Sequence, residues 1–400
     1  MTKRDRKPDF YPPKLTLPLV QLCQFMIPFV GDWYYRMRLE ITQESLDQLR
    51  QLKGKRVLLL PNHPTFHDWI AIFLLSSRVN DSFYYMAAYE RFYGLKGEFL
   101  QRLGAYSIRR GLGDRPSVAQ TLDLLVQPDC RLVIFPEGGC SFQNDTIMPF
   151  RTGAVQVALQ AMNRLVKQGQ DVPDLYVVPI SVKYRYLGDM APVIHNTLSR
   201  LERSLHIPRA ATPYARLRAV AERVLVSIEK DYGLHNEIIA QQPWNDRIPK
   251  LKNHALQECE RVLGIIPSPN DPIRERVYRL QYTLESRAET LAEDNFWTYD
   301  SIHQTAARLL NFDSIYDGYV ADHPTPERFL DTLIRLERAV FKIDQPTPKG
   351  HRKVYIQVDH PLNLKDYFAD YQRDRTGAIA LLTEKLRQTI QENLNQLLKL

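Results

Sequence analysis

Cysteine is scarce in this chain of 400 residues: there are four, and no two stand as Cys-x-x-Cys. That usage argues against a disulfide-stapled scaffold or a cysteine zinc site and fits a reducing compartment. Long hydrophobic runs are missing as well. No stretch reaches the roughly 18–20 unbroken apolar residues of a spanning helix, and the nearest, Leu15 to Val30, carries Pro18, Gln21, Gln24 and Pro28. Those prolines, with no small-x-small cleavage site behind them, also speak against a signal peptide. No internal repeat of fixed period is evident. What is abundant makes a folded chain the default rather than disorder: 44% of residues are apolar and 25% charged, ample for a core. Acidic charge is in deficit, the net charge being +7. This directs attention to anionic lipid, an acidic carrier protein or nucleic acid. No nucleic-acid reading motif accompanies the charge, so nucleic acid is not expected as a partner.

The interrupted apolar stretch has basic flanks, Lys3, Arg4, Arg6 and Lys7 before it and Arg36 and Arg38 after it, with Trp33, Tyr34 and Tyr35 between. A short apolar segment with interfacial aromatics and cations suits an element lying in the headgroup layer. Residues 1–39 are therefore expected to be a membrane-interacting segment, peripheral or monotopic, at the cytoplasmic face. A buried N-terminal helix is the competing reading.

From residue 40 to 186 helical and strand patterns alternate. Arg56 to Leu60, Phe83 to Ala88, Leu132 to Phe135 and Tyr176 to Val182 read as strands, and Tyr106 to Arg109 as a short extended piece. Glu44 to Leu52, Trp69 to Ser76, Pro116 to Val126 and Thr152 to Gln168 read as helices. This predicts an α/β fold, a central mixed sheet flanked by helices. Between 187 and 350 the strand signal disappears, and charged helical stretches are punctuated by Ile266 to Pro272, His323 to Pro326 and Gln345 to Pro348. A strand returns at Val354 to Val358, with a helix from Thr376 onward. A lone strand is unstable by itself. It is expected to join the first sheet, so 40–186 and 351–400 form one core and 187–350 a mostly helical insertion.

Four segments carry chemistry. Asn62-His63-Pro64-Thr65-Phe66-His67-Asp68 follows a buried strand and precedes a helix, where α/β sheets present functional groups. An imidazole there can take a proton from a hydroxyl while a carboxylate steadies the imidazolium. No serine or cysteine nucleophile is obvious beside it, so the attacking group is expected to belong to the substrate. The bland alternative makes Asp68 a helix N-cap. Phe135-Pro136-Glu137-Gly138-Gly139-Cys140-Ser141 follows another strand, and its glycines let backbone amides approach a ligand; an ordinary turn with a solvated Glu137 is the alternative. Gly104 to Arg110 sets guanidinium groups, suited to phosphate, after an extended segment. Val177-Val178-Pro179-Ile180 by itself reads as core.

In this order, each at a strand end, the four resemble the blocks of the glycerolipid acyltransferase family, which includes the 1-acylglycerol-3-phosphate acyltransferases: Asn-His-x4-Asp, Gly-x-x-Phe-Ile-x-Arg, Phe-Pro-Glu-Gly-Thr-Arg-Ser and Val/Ile-Pro-Val/Ile. The resemblance implies His63 as general base and Asp68 as its orienting partner. It places Arg110 on the acceptor phosphate and Glu137, Gly138 and Gly139 in the acceptor-binding third block. It implies acyl-CoA or acyl carrier protein as donor, no metal or other cofactor, and a lysophospholipid acceptor, 1-acylglycerol-3-phosphate first. Glycerol 3-phosphate, another lysolipid or an alcohol stay open as acceptors. A non-catalytic membrane-associated scaffold is the rival from another class.

Two positions depart from the blocks. Gly139-Cys140 stands where the family has Thr-Arg, removing a cation that Arg151 could replace from downstream, and Ser107 stands where an aromatic is usual. Nothing in the sequence marks the Cys140 thiol as activated. His67 is expected to be structural. The arginines between Arg200 and Arg223 read as a solvated helical face, with docking to anionic lipid or a carrier as the sharper reading. Phe296-Trp297 and Tyr316/Tyr319 read as packing of the inserted helices.

Overall fold

The computed structural model describes residues 8–111, 113–268, 271–286 and 297–397. The basic flank Lys3, Arg4, Arg6 and Lys7, the hinge residues Pro269 and Asn270, and Phe296 lie outside the described residues. In chain order the elements are α1 (Leu17–Trp33), β1 (Met37–Ile41), α2 (Gln43–Gln51), β2 (Val57–Pro61), α3 (Asp68–Val79), β3 (Tyr84–Ala88), α4 (Gly94–Arg102), β4 (Ala105–Ile108), α5 (Arg115–Leu125), β5 (Arg131–Val133), α6 (Gly153–Lys167) and β6 (Tyr176–Tyr186). Then come α7 (Ala191–Leu205), α8 (Pro213–Asp231), α9 (Glu237–Ala240), α10 (Trp244–Val262), α11 (Ile273–Ser286), α12 (Tyr299–Asn311), α13 (Tyr319–Asp322) and α14 (Pro326–Phe341). The chain closes with β7 (Arg352–Val358), β8 (Leu362–Asn363), α15 (Phe368–Arg373) and α16 (Arg375–Gln396). Two compact units result: Met1–Arg109 with Asp114–Arg185 and His351–Leu400, and Arg110–Gly113 with Tyr186–Gly350.

The first unit is built on one mixed sheet in the order β1-β7-β6-β2-β5-β3-β4, with β8 antiparallel to β6. Its centre is parallel: β2 pairs with both β5 and β6. Every residue of β2 is buried, as a strand covered on both faces must be. The two-residue period divides it. Val57 and Leu59 face a core shared with α1, α2 and α3, while Leu58 and Leu60 face one shared with α5, α6 and α16. Each such fully buried aliphatic side chain contributes about 1.5–3 kcal/mol. After the helical block the chain returns as β7, between β1 and β6. β1 has no counterpart in the sequence pattern, because five alternating residues, Met37-Arg38-Leu39-Glu40-Ile41, carry too little signal beside the aromatic run before them.

Helix α1 buries Val20, Gln24, Ile27 and Gly31 and rests on α3, where Gln24 donates to Ser76 Oγ (3.1 Å) and to the Asp81 carbonyl (2.7 Å). Its other face is apolar and open: Leu22 is 58% exposed, Phe25 70%, Phe29 65% and Trp33 83%. The buried-helix reading thus holds for one face alone. No helix among the described residues is long and apolar enough to cross a membrane.

Among its described residues the second unit is helical. Leu198, Leu201, Val220, Leu330 and Leu333 form one core, Leu256, Val277, Leu280, Ile302 and Ala306 another. Arg200, Arg203, Arg209 and Arg223 are exposed, as expected of a solvated face, but two other arginines of that stretch are engaged within the unit. Arg216 is buried and grips Glu202 with two bonds (2.6 and 2.7 Å), and Arg218 pairs with Asp317 and lies 3.8 Å over the Trp244 ring. Trp297 stacks on Tyr232. Tyr316 and Tyr319 meet edge to face and, with Val224, Ile228, Leu251 and Leu309, line an apolar cavity of about 120 Å³. Arg110 belongs to this unit. Its guanidinium lies 4.3 Å over the Tyr278 ring and donates to the Tyr278 hydroxyl (2.9 Å).

Candidate active site

Because β5, β2 and β6 run parallel, their C-terminal ends share one edge of the sheet, where loops are free to carry chemistry. Two asparagines extend that edge past the ladder. The buried Asn62 amide donates to the Val182 carbonyl (3.0 Å) and accepts from the Val182 N–H (2.7 Å). The buried Asn144 amide does the same for Tyr184, at 2.7 Å each way. A side-chain amide here imitates a neighbouring strand's peptide, so β6 continues straight beneath the loops with its polar backbone satisfied.

On this floor His63 Nδ1 stands 2.7 Å from Asp68 Oδ2. Asp68 is fully buried, the first residue of α3, and its carboxylate is held on every side. Oδ2 also accepts from the Thr65 N–H (2.8 Å), while Oδ1 accepts from Thr65 Oγ1 and the Tyr184 hydroxyl, both at 2.7 Å. The helix N-terminus favours the negative charge further. Asp68 is therefore no N-cap; that position is His67. Burial by itself disfavours an imidazolium at His63, but the Cys140 sulfur and the Asp68 carboxylate outweigh it, raising the His63 pKa well above 6.5. Burial, then Asp68, push the Tyr184 hydroxyl far above its ordinary range, so it stays a donor. His67 goes the other way: burial and Arg352 lower it to about 4. It packs edge-on against Tyr35, a neutral structural ring.

The third segment closes over His63. Glu137 is only 2% exposed, not solvated, and its carboxylate accepts from the His63 N–H (2.6 Å) and the Met148 N–H (2.9 Å). Four residues on, the Ser141 N–H donates to the His63 carbonyl (2.8 Å). Gly138 has φ +71°, and a Cβ there would fall 2.4 Å from Arg151 Nε, so the Arg151 side chain crosses where only glycine leaves room. Arg151 thus brings positive charge to this turn. Between these anchors Cys140 Sγ lies 3.6 Å from His63 Nε2 and 3.2 Å from the Thr65 carbonyl oxygen. The second-block departure has a local reason: the buried Ser107 hydroxyl accepts from the Tyr11 N–H (2.9 Å).

His63, Asp68, Glu137, Gly138 and Cys140 are brought together with Arg151, whereas Arg110 is engaged by Tyr278. Tyr184 and Asn144 were not legible as site residues, since each acts through a long-range register. Residues 40–183 match the family model described as Acyltransferase. No curated protein matches the chain. The stretch with the His63–Asp68 pair is thus an acyltransferase domain, and the chain an acyltransferase enzyme.

Proposed function

We propose that this enzyme moves a fatty acyl group from an acyl thioester, acyl-CoA or acyl carrier protein, to the hydroxyl of a lysophospholipid, with 1-acylglycerol-3-phosphate going to phosphatidic acid. One observation carries the reading: within the acyltransferase domain, a partly exposed imidazole is bonded at 2.7 Å to a fully buried carboxylate. Neutral His63 takes the acceptor's hydroxyl proton as the oxygen attacks an acyl carbonyl, and Asp68 stabilises the imidazolium that forms. In this reading nearby backbone amides stabilise the tetrahedral oxyanion. Arg151, lying against Gly138, offers charge for the acceptor's phosphate. Arg110 enters through the family resemblance alone.

The reading places the chemistry at a membrane surface, the cytoplasmic face by expectation. The support is the open face of α1, with Leu22, Phe25, Phe29 and Trp33 followed by Arg36 and Arg38, an arrangement that seats apolar side chains below the headgroups and cations among them.

Gly139-Cys140 in place of a threonine–arginine pair favours a second reading, the same transfer to a less charged acceptor. The test is purified full-length chain with anionic vesicles, both donor types and a panel of labelled acceptors, followed by lipid separation. Phosphatidic acid is expected to form fastest, and His63→Ala to form none while keeping its fold. Faster turnover of unphosphorylated acceptors selects the second reading. No acylated lipid from any acceptor with either donor refutes both.

A further inference from the structure

Along α10, Ile248, Leu251, Lys252 and Ala255 recur at the i, i+3, i+4, i+7 spacing of one helix face, and all four line the apolar cavity of the helical unit. Three of them suit that stripe; the lysine does not. Two other cations line the same cavity, and each is answered by an anion. Arg218 pairs with Asp317 and lies over the Trp244 ring, and Arg308 pairs with Asp231 at 2.9 Å. Lys252 is answered by a neutral group. Its Nζ donates to the Asp313 carbonyl at 2.8 Å, while the Asp313 carboxylate is bonded to Arg274 at 2.9 Å. Among the described residues Lys252 forms no ion pair. Burial lowers its pKa, with Asp313 opposing the shift and Arg335 adding to it. An ammonium held in apolar surroundings without its own carboxylate carries a desolvation cost that an incoming anion offsets.

We propose that this cavity binds a medium-chain fatty carboxylate, with its tail among the apolar side chains and its carboxylate on Lys252. The walls define the ligand. Val224, Ile228, Leu251 and Leu309, from three helices, present hydrocarbon, which an unbranched aliphatic tail matches by burial alone. The volume is about 120 Å³, close to the roughly 150 Å³ of an apolar cavity that stays dry and takes benzene, so about six carbons of chain fit inside. A longer tail leaves on the side where Tyr316 is 38% and Arg218 37% exposed. At the other end the ammonium makes a charge-assisted bond to a carboxylate, which an alcohol or an ester of the same chain cannot match. Every residue of this site belongs to the helical unit, and binding there needs neither His63 nor an acyl donor.

The experiment titrates full-length wild-type protein with octanoate, octanol and butanoate by isothermal calorimetry, with no thioester or lysolipid present. One octanoate per chain is expected. Octanol, which keeps the tail and lacks the charge, should bind at least about tenfold more weakly, and so should butanoate, which keeps the charge and lacks half the tail. Lys252→Met should bind octanoate and octanol alike. A diazirine analogue of octanoate should crosslink, on irradiation of the wild-type protein, to peptides of α8, α10 or α12, which locates the site without any substitution. Absence of octanoate binding at about 1 mM, octanol bound as tightly as octanoate, or unaltered octanoate affinity in Lys252→Met each overturns the proposal. Crosslinks confined to α1 or to the loop carrying His63 overturn it too, placing the fatty acid on the catalytic unit. None of these outcomes bears on acyl transfer, which is read from lipid products in a separate assay.

Discussion

Replacing Asp68 by asparagine changes one atom and one charge, and the surrounding bonds decide which way the amide sits. At Oδ2 both neighbours, His63 Nδ1 and the Thr65 N–H, are nitrogen donors at 2.7 and 2.8 Å. At Oδ1 both are hydroxyls, of Thr65 and Tyr184, which can turn to accept. The amide oxygen therefore takes the Oδ2 place and the NH2 the other, so the ring keeps its tautomer. What disappears is the difference between a charge-assisted hydrogen bond, about 1.5–3 kcal/mol, and a neutral one of about 1 kcal/mol. A loss of about 0.5–2 kcal/mol where the imidazolium forms is a roughly 2–30-fold fall in kcat/KM for the acceptor. The pH profile moves as well. His63 must be neutral to act as base, and its pKa is held well above 6.5, against burial, by Cys140 and Asp68. Wild-type activity therefore rises with pH through that raised value, and Asp68→Asn shifts the rise to lower pH. The same linkage sets stability: protonated His63 stabilises the fold fully below the unfolded value near 6.5 and progressively less as pH rises through the folded value, a dependence flatter in the variant. The assay follows loss of the donor's thioester absorbance across about pH 5–9, where imidazoles titrate. An unchanged rate and an unmoved pH profile would refute the pairing.

Two further outcomes are expected. Lys183 and Asp145 form a buried ion pair at 2.7 Å, 2% and 3% exposed; Lys183→Met takes the cation away from the buried carboxylate and should cost about 3–5 kcal/mol in urea denaturation, while adding Asp145→Leu should recover most of it. A single-variant cost below about 1 kcal/mol would contradict that. On α1, Phe25→Ser with Phe29→Ser removes two side chains whose burial in lipid is worth about 1.5–3 kcal/mol each. Co-flotation with anionic vesicles should weaken more than about a hundredfold at unchanged melting temperature, and undiminished flotation would end the membrane reading of that face.

How far the molecule was legible in its sequence depended on the range over which each residue acts. The α/β class and most elements followed from local signals: the apolar run of β2, the amphipathic α6, Pro116 near the start of α5. The first-motif pair was readable because His63 and Asp68 are five residues apart, spanning one loop. Tyr184 was not. It lies 116 residues from the carboxylate it bonds, and in the sequence it stands two residues past the apolar strand read at Tyr176 to Val182, between Lys183 and Arg185. What aims it is the β2–β6 register, which sets Pro61 beside Ile180, continued by the Asn62 and Asn144 amides on alternate residues of β6. Alternation sends Val182 and Tyr184 to the same face, the one that also carries Ile70 of α3, and so delivers the hydroxyl to the start of that helix, where Asp68 sits. A slip of one residue would turn Tyr184 away. The hold that Glu137 exerts on the loop was hidden for the same reason: a strand-ending turn gives no local sign that its carboxylate will bond the backbone of a residue 74 positions earlier. The sequence motifs name the groups that do chemistry, while pairing between distant strands decides which of their neighbours hold them there.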